Sequence, residues 1–198
     1  MRFFNDTEYF SKTFKGADLQ GQTISGIEFD QCTFVECNFM QATFDKCSFV
    51  DCQFLQCNLS IARINYSKFS DVTLRDSKAI GIDWTKAIWS QLALGSAINF
   101  HNSVVSDSSF FGLTLQDMTM ERCVAHNIDF ASGDFSGANF TYSDFSGCIF
   151  SDTNLTKANF GDAVNFDIDI FNNKLKAAKF DRFEALRLLA SLDIELLD

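Results

Sequence analysis

Large apolar residues recur at every fifth position through most of the chain. Positions ending in 4 or 9 read Phe4, Tyr9, Phe14, Leu19, Ile24, Phe29, Phe34, Phe39, Phe44, Phe49, Phe54 and onward to Trp84, Trp89 and Leu94. One extra residue then shifts the frame, which resumes at Phe100, Val105, Phe110, Leu115 and Met120 and runs to Leu155 and Phe160. After a lapse at Asn165 it continues as Ile170, Leu175 and Phe180. Two places before each large residue stands a small one, such as Ala17, Cys32, Cys37, Ala42, Ala138 or Ser143, and the remaining positions are polar. A period of five is neither the 3.6 of a helix nor the two of a strand. It suits a coil with corners: small and large residues, two apart, point inward from a short extended segment, and the next two residues turn the chain. Four segments close a square of 20 residues, and successive squares stack at about 4.8 Å.

This frame predicts an all-β quadrilateral solenoid over residues 1–180, in which Phe14, Phe34, Phe54 and Leu74 form one column. The pattern loosens between Ser77 and Ile98, where Ala79 is small and Trp84 and Trp89 look too large for the interior. A bulge or small loop near 77–99 therefore divides two stacks. From Asp181 to Ala190 strong helix formers with an apolar stripe predict a short amphipathic helix. The tail to Asp198 alternates like a strand, so residues 181–198 read as a cap, a dimer contact, or both.

Composition narrows the functional classes. The 198 residues hold 24 Phe, seven Cys and no Pro, with a net charge of −10. That charge opposes direct docking on nucleic acid or anionic lipid, and no apolar run is long enough to span a membrane. The N-terminus lacks a secretory pattern, so a cytoplasmic protein is expected. All seven cysteines (32, 37, 47, 52, 57, 123 and 148) occupy the small inward position at multiples of five, which reads as core packing rather than a metal site or disulfides. His101 and His126 each follow a large residue by one place and are expected to face solvent, without forming a catalytic pair. No phosphate-binding loop, nucleophile elbow or metalloprotease motif occurs. Neither catalysis nor a cofactor nor a bound metal is expected.

Charge is unevenly spread. Residues 1–86 carry 11 acids and nine bases, whereas residues 87–173 carry ten acids against only Arg122 and Lys157, a net of −8. The acids are Asp107, Asp117, Glu121, Asp129, Asp134, Asp144, Asp152, Asp162, Asp167 and Asp169. Spread over about 21 Å of rod, the net of −8 gives about 0.4 negative charge per Å, against about 0.6 for duplex DNA.

The triplets Ala17-Asp18-Leu19, Ala138-Asn139-Phe140 and Ala158-Asn159-Phe160 resemble the consensus of the pentapeptide repeat family, in frame from about residue 4 to 180. The resemblance implies a right-handed quadrilateral β-helix. With its two stacks, anionic second half and Leu188-Leu189-Ala190-Ser191-Leu192-Asp193-Ile194 element, the chain resembles the topoisomerase-protecting branch. It is closer there to the albicidin-resistance type than to the quinolone-resistance Qnr type, whose projecting loops are longer. The resemblance implies a non-catalytic homodimer that imitates DNA, binds DNA gyrase or another type II topoisomerase and relieves its inhibitors. Asp107, Asp117, Glu121, Asp129, Asp134, Asp144, Asp152 and Trp89 are then candidates for partner binding. Phe183, Leu186, Leu188, Leu189, Leu192, Ile194 and Leu196 are candidates for dimerisation. The alternative is a scaffolding solenoid that binds an unrelated protein.

Overall fold

The computed structural model describes residues 3–89, 96–192 and 194. The chain is an all-β solenoid of about eight turns with one short helix. Each turn contributes one short segment to each of four faces. Face A is a parallel sheet of Thr13–Lys15, Thr33–Val35, Gln53–Leu55, Val72–Arg75, Ile98–His101 and Thr119–Glu121 in spatial sequence, with Asn159–Phe160 and Lys179–Phe180 paired further along. Face B is a column of single bridges from Asp18 and Asn38 to Asp144 and Val164. Face C begins with Thr23–Ser25 and Thr43–Asp45, and face D with Glu8–Phe10, Glu28–Asp30, Ser48–Val50 and Lys68–Ser70. The ladder bonds link residues about 20 apart, as in Asn38 N to Ala17 O at 2.8 Å and Phe39 N to Asn58 O at 2.7 Å.

The corners explain why five residues suffice per side. At most corners the residue two places after the large one adopts φ near +55°, as at Glu36, Lys46, Asp76, Asn102, Asp117 and Asp162, whereas the corner after Trp84 is a 3-10 turn, Trp84–Lys86. This left-handed step turns the chain onto the next face of the square in a single residue, at a steric cost for any side chain but glycine. Gly16, Gly21, Gly26, Gly81 and Gly112 occupy the same position elsewhere.

Inside, the large residues stack coil on coil. Phe34 lies 4.7 Å from Phe54 with rings 14° apart, Phe29 lies 5.1 Å from Phe49 at 10°, and Phe130 lies 5.0 Å from Phe150 at 6°. Between faces the rings meet edge to face, as in Phe29 on Phe34 at 5.2 Å and 75°. Each such pair contributes about 0.5–1.5 kcal/mol beyond its area burial. Trp84, expected to be too large, is 1% exposed. Its indole stacks on Phe110 at 5.8 Å and 19° and meets Phe69 and Phe100 edge-on. The small Ala79 in the same coil leaves the volume that the indole takes up.

The small positions are more than volume fillers. Each cysteine sulfur donates to carbonyls below it: Cys52 Sγ reaches Phe29 O at 3.4 Å and Val50 O at 3.3 Å. Ser77, Ser143 and Thr153 do the same through oxygen. Some also accept the inward N–H of the coil below, as Ser77 Oγ accepts Cys57 N at 2.9 Å and Cys57 Sγ accepts Cys37 N at 3.4 Å. All seven cysteines are buried and free. Burial pushes the thiols of Cys52, Cys123 and Cys148 up to about 12, which keeps them protonated donors.

Three expectations are corrected. First, Val72–Arg75 pairs with Ile98–His101 at a separation of 26 residues, so this coil holds six residues more than its neighbours, not one. A frame counted by fives cannot tell one from six. Leu94, placed in the inward column by the frame, lies outside the described residues, and Phe100 stands over Leu74 instead. Second, the column does not resume at Ile170: at the lapse, Asn165 takes the left-handed conformation at φ 59° and turns the corner early. Phe166 and Ile168 swing inward, Ile168 pairs with Phe150 only 18 residues back, and Ile170 is left partly exposed. Third, the helix is a 3-10 helix, Glu184–Leu192, with no fully buried residue. Of the expected strand-like tail, Ser191 and Leu192 belong to this helix instead, and all that follows except Ile194 lies outside the described residues.

Phe140, 0% exposed, and Phe44, 2% exposed, sit inside continuous columns. Truncating either to Ala should cost about 3–5 kcal/mol in a urea titration, because a stacked coil cannot collapse around the gap. Ser77→Ala should cost about 1–3 kcal/mol by orphaning the buried Cys57 N–H, whereas Ser77→Cys should recover most of the loss.

Candidate protein-interaction surface

Seven of the ten acids of the second stack arise at two kinds of position. Asp107, Asp117, Asp152 and Asp162 are left-handed corner residues, with φ between 53° and 57°. Asp129, Asp134 and Asp144 stand one place before a large residue and cap the turn that follows. Asp129 Oδ1 accepts Ala131 N at 3.0 Å, Asp134 Oδ1 accepts Ser136 N at 2.9 Å, and Asp144 Oδ1 accepts Ser146 N at 3.0 Å. Asn38, Asn58, Asn139 and Asn154 make the same bond elsewhere. Asp and Asn recur there because a short acceptor two residues from the N–H closes an Asx turn.

The structure does not gather the candidates on one side. Glu121 lies on face A, Asp144 on B, Asp129 on C and Asp134 on D. Asp107 occupies the B–C corner, Asp152 the C–D corner and Asp117 the D–A corner. The anionic charge therefore surrounds the rod. Glu121 is partly compensated by Arg122 at 2.5 Å and lies 3.2 Å from His101 Nδ1, and Asp144 lies 3.1 Å from His126 Nε2. Both histidines, expected to face solvent, are only partly exposed and sit against these carboxylates. Among the described residues, no cation pairs with the other acids of the set.

Asp144 is the most tightly held acid. Burial pushes its carboxyl up, but hydrogen bonds from Ser146 Oγ at 2.6 Å, Asn165 Nδ2 at 3.0 Å and Ser146 N outweigh this and hold it at about 2. Asp134 is lowered too: burial again opposes, and Ser136 and Gln116 prevail. These two acids, with Asp129, are part of the turn structure, so they are not free outward charges as their spacing suggested.

Trp89 is half-buried. Its ring stacks on Phe69 at 5.8 Å and its Nε1 donates to Trp84 O at 3.0 Å, which anchors it to the coil before the enlarged one. The dimerisation candidates divide. Leu188 packs against the core and Leu189 is half-buried, whereas Phe183 is 75% exposed and Leu186, Leu192 and Ile194 also face outward. Leu196 lies outside the described residues.

A parallel β-coil of four five-residue sides, with an inward ladder and left-handed corners, defines a class of solenoid built from pentapeptides. Family models described as a pentapeptide repeat region and as pentapeptide repeats match residues 27–97 and 134–163, together about half of the chain. The chain belongs to the pentapeptide repeat proteins. Among solved structures, a trypsin-treated form of QnrB1, a plasmid-mediated fluoroquinolone resistance protein, is similar with a TM-score of 0.55 and 21% identity, over 96% of this chain and 100% of that one. A second trypsin-treated QnrB1 gives 0.53 and 22%, over 96% and 97%. No curated protein matches the chain. No described helix is long and apolar enough to cross a membrane, and no described group of His, Cys, Asp and Glu is arranged to hold a metal ion.

Because the folded carboxyl of Asp144 lies near 2 and its ordinary value is 3.8, its contribution is complete above about pH 4 and disappears as pH falls through 2. Thermal unfolding should therefore show Asp144→Ala less stable than the parent at pH 6, with the gap closing between pH 4 and 2. A gap that is constant with pH would show that the carboxylate is not what the turn uses.

Proposed function

We propose that this protein is a non-catalytic homodimer that engages DNA gyrase or another type II topoisomerase by imitating duplex DNA. In this reading it relieves inhibition by a quinolone- or albicidin-type poison. The observation that carries the reading is the charge division along the rod: ten acids against two bases over residues 87–173. Four coil steps separate Ile88 from Lys174, about 19 Å, so the net charge remains about 0.4 per Å. Charge on every side of a rod suits a partner that encloses it, as a DNA channel would. The fold it shares with QnrB1 supports the same reading. The scattering of the acids over four faces, several of them serving as turn caps, favours the second reading, a scaffolding solenoid with another protein partner.

Gyrase supercoiling, assayed with ciprofloxacin or albicidin and increasing amounts of this protein, separates the two. Protection is expected under the first reading and none under the second. To isolate charge from fold, Asp129, Asp134 and Asp144 should be changed to Asn, which keeps the Asx acceptor. Asp117, Asp152 and Asp162 should be changed to Lys, since Lys46 and Lys157 already hold the same left-handed corner. The combined variant should fold and lose protection, and protection by the parent should weaken with salt.

The exposed apolar residues of the C-terminal helix support association of two copies there. Phe183→Ser with Leu186→Ser should convert a dimer into a monomer in light scattering while leaving Leu188 on the cap. A monomeric parent protein would end the dimer reading.

A further inference from the structure

The third coil places two large apolar side chains where the backbone disfavours them. Ile61 and Tyr66 occupy successive left-handed corners with φ of 58° each, and they are 52% and 61% exposed. Ile61 is the only β-branched residue in this conformation among the described residues, and such a residue with positive φ is a genuine outlier. Neither side chain is in the core, and the same corner columns contain Gly21, Gly81 and Gly26. Arg63 projects from face C between them, and Lys46, Lys86 and Lys68 surround Tyr66. Lys46 and Lys86 lie one coil below and above Tyr66, and Lys68 follows two residues later. Lys86 shares Asp83 at 3.4 Å, and Asp45 nearby is engaged by Ser25 at 3.2 Å. No ion pair involves Lys46, Arg63 or Lys68 among the described residues. Two open depressions flank the ridge: one of about 390 Å³ beside Ile61, Arg63 and Lys86, with Asp83 as its acid, and one of about 360 Å³ beside Lys46, Tyr66, Lys68 and Ile88, with Glu28 as its acid.

We infer that this corner of the third and fourth coils docks an acidic segment of a protein partner, with Ile61 and Tyr66 as apolar anchors and the four cations as its rim. A Tyr and an aliphatic residue at the centre with charge at the edge is the arrangement of an interface core and its rim, whereas a phosphate backbone would make no use of Ile61. A cationic patch on a chain of net charge −10 also selects an anionic partner and steers it. The surface is separate from the second-stack acids, so the inference does not depend on the topoisomerase reading.

The test exploits the backbone. Ile61→Gly with Tyr66→Gly removes both anchors and relieves two left-handed side chains, so the melting temperature should hold or rise. Random linear peptides displayed on phage are selected on the immobilised full-length protein. The enriched peptides should carry Asp or Glu around a Leu, Ile, Phe or Trp, and should lose about ten-fold or more in affinity for the double Gly variant. Their binding should also weaken with salt and with Lys46→Gln/Lys68→Gln. The inference is overturned if no peptide is enriched, if the enriched peptides are basic or uncharged, or if they bind the Gly variant as tightly as the parent. It is equally overturned if short duplex DNA binds the parent and Lys46→Gln/Lys68→Gln abolishes that binding, which would make the patch a phosphate site.

Discussion

Everything in this molecule depends on one backbone step, the left-handed residue at each corner. It lets a five-residue side close a square, which sets residues 20 apart in register and lets the ladder N–H and C=O groups of a side bond to the adjacent coils. The inward columns follow from that register, and the ring stacking follows from the columns. Where the step moves, the structure moves with it: at Asn165 the corner comes early, the coil shortens, and Ile168 takes the place expected for Ile170.

The same step bears on the origin of the charge. A left-handed corner is best served by Gly, Asn or Asp, and a turn cap by Asn, Asp or Ser. Asp107, Asp117, Asp129, Asp134, Asp144 and Asp152 all occupy positions of these two kinds. Local structure therefore accounts for a short polar residue there. It does not account for a carboxylate, since Asn102 and Asn127 turn corners and Asn139 and Asn154 cap turns without charge. Residues 87–173 hold as many Asn as Asp, nine of each, so their net charge comes from having only two bases where residues 1–86 have nine; that scarcity of Lys and Arg is what requires an explanation beyond folding, and electrostatic attraction to a basic partner supplies one.

Much of the architecture was legible because period five has one simple geometric solution. The columns through Phe34, Phe44, Phe110 and Phe140 are where the spacing puts them. Three things were not legible, each for a physical reason. Counting by fives fixes an insertion only to within a multiple of five, so six extra residues looked like one. Side-chain size read position by position does not report the space shared within a coil, so Trp84 looked too large although the small Ala79 was already evident. The hydrogen-bonding role of the small position was hidden because Cys, Ser and Thr also differ little from Ala in size. For the surface, outward position was read correctly but not which side of the rod each acid occupies or whether its oxygens are already engaged.

A solenoid transmits little along its axis, since each coil touches only its neighbours. The ridge at Ile61 and Tyr66 and the acids from Asp107 to Asp162 are joined through the enlarged coil, where the pairing of Val72–Arg75 with Ile98–His101 carries the ladder across unbroken. The backbone scaffold is therefore continuous while the surfaces it presents change from mixed charge to strongly anionic. Substitutions on the two surfaces share no side-chain contacts, so their effects on stability should add. Departure from additivity in partner binding would then report a single partner that touches both surfaces at once, because the rod itself offers no other route between them.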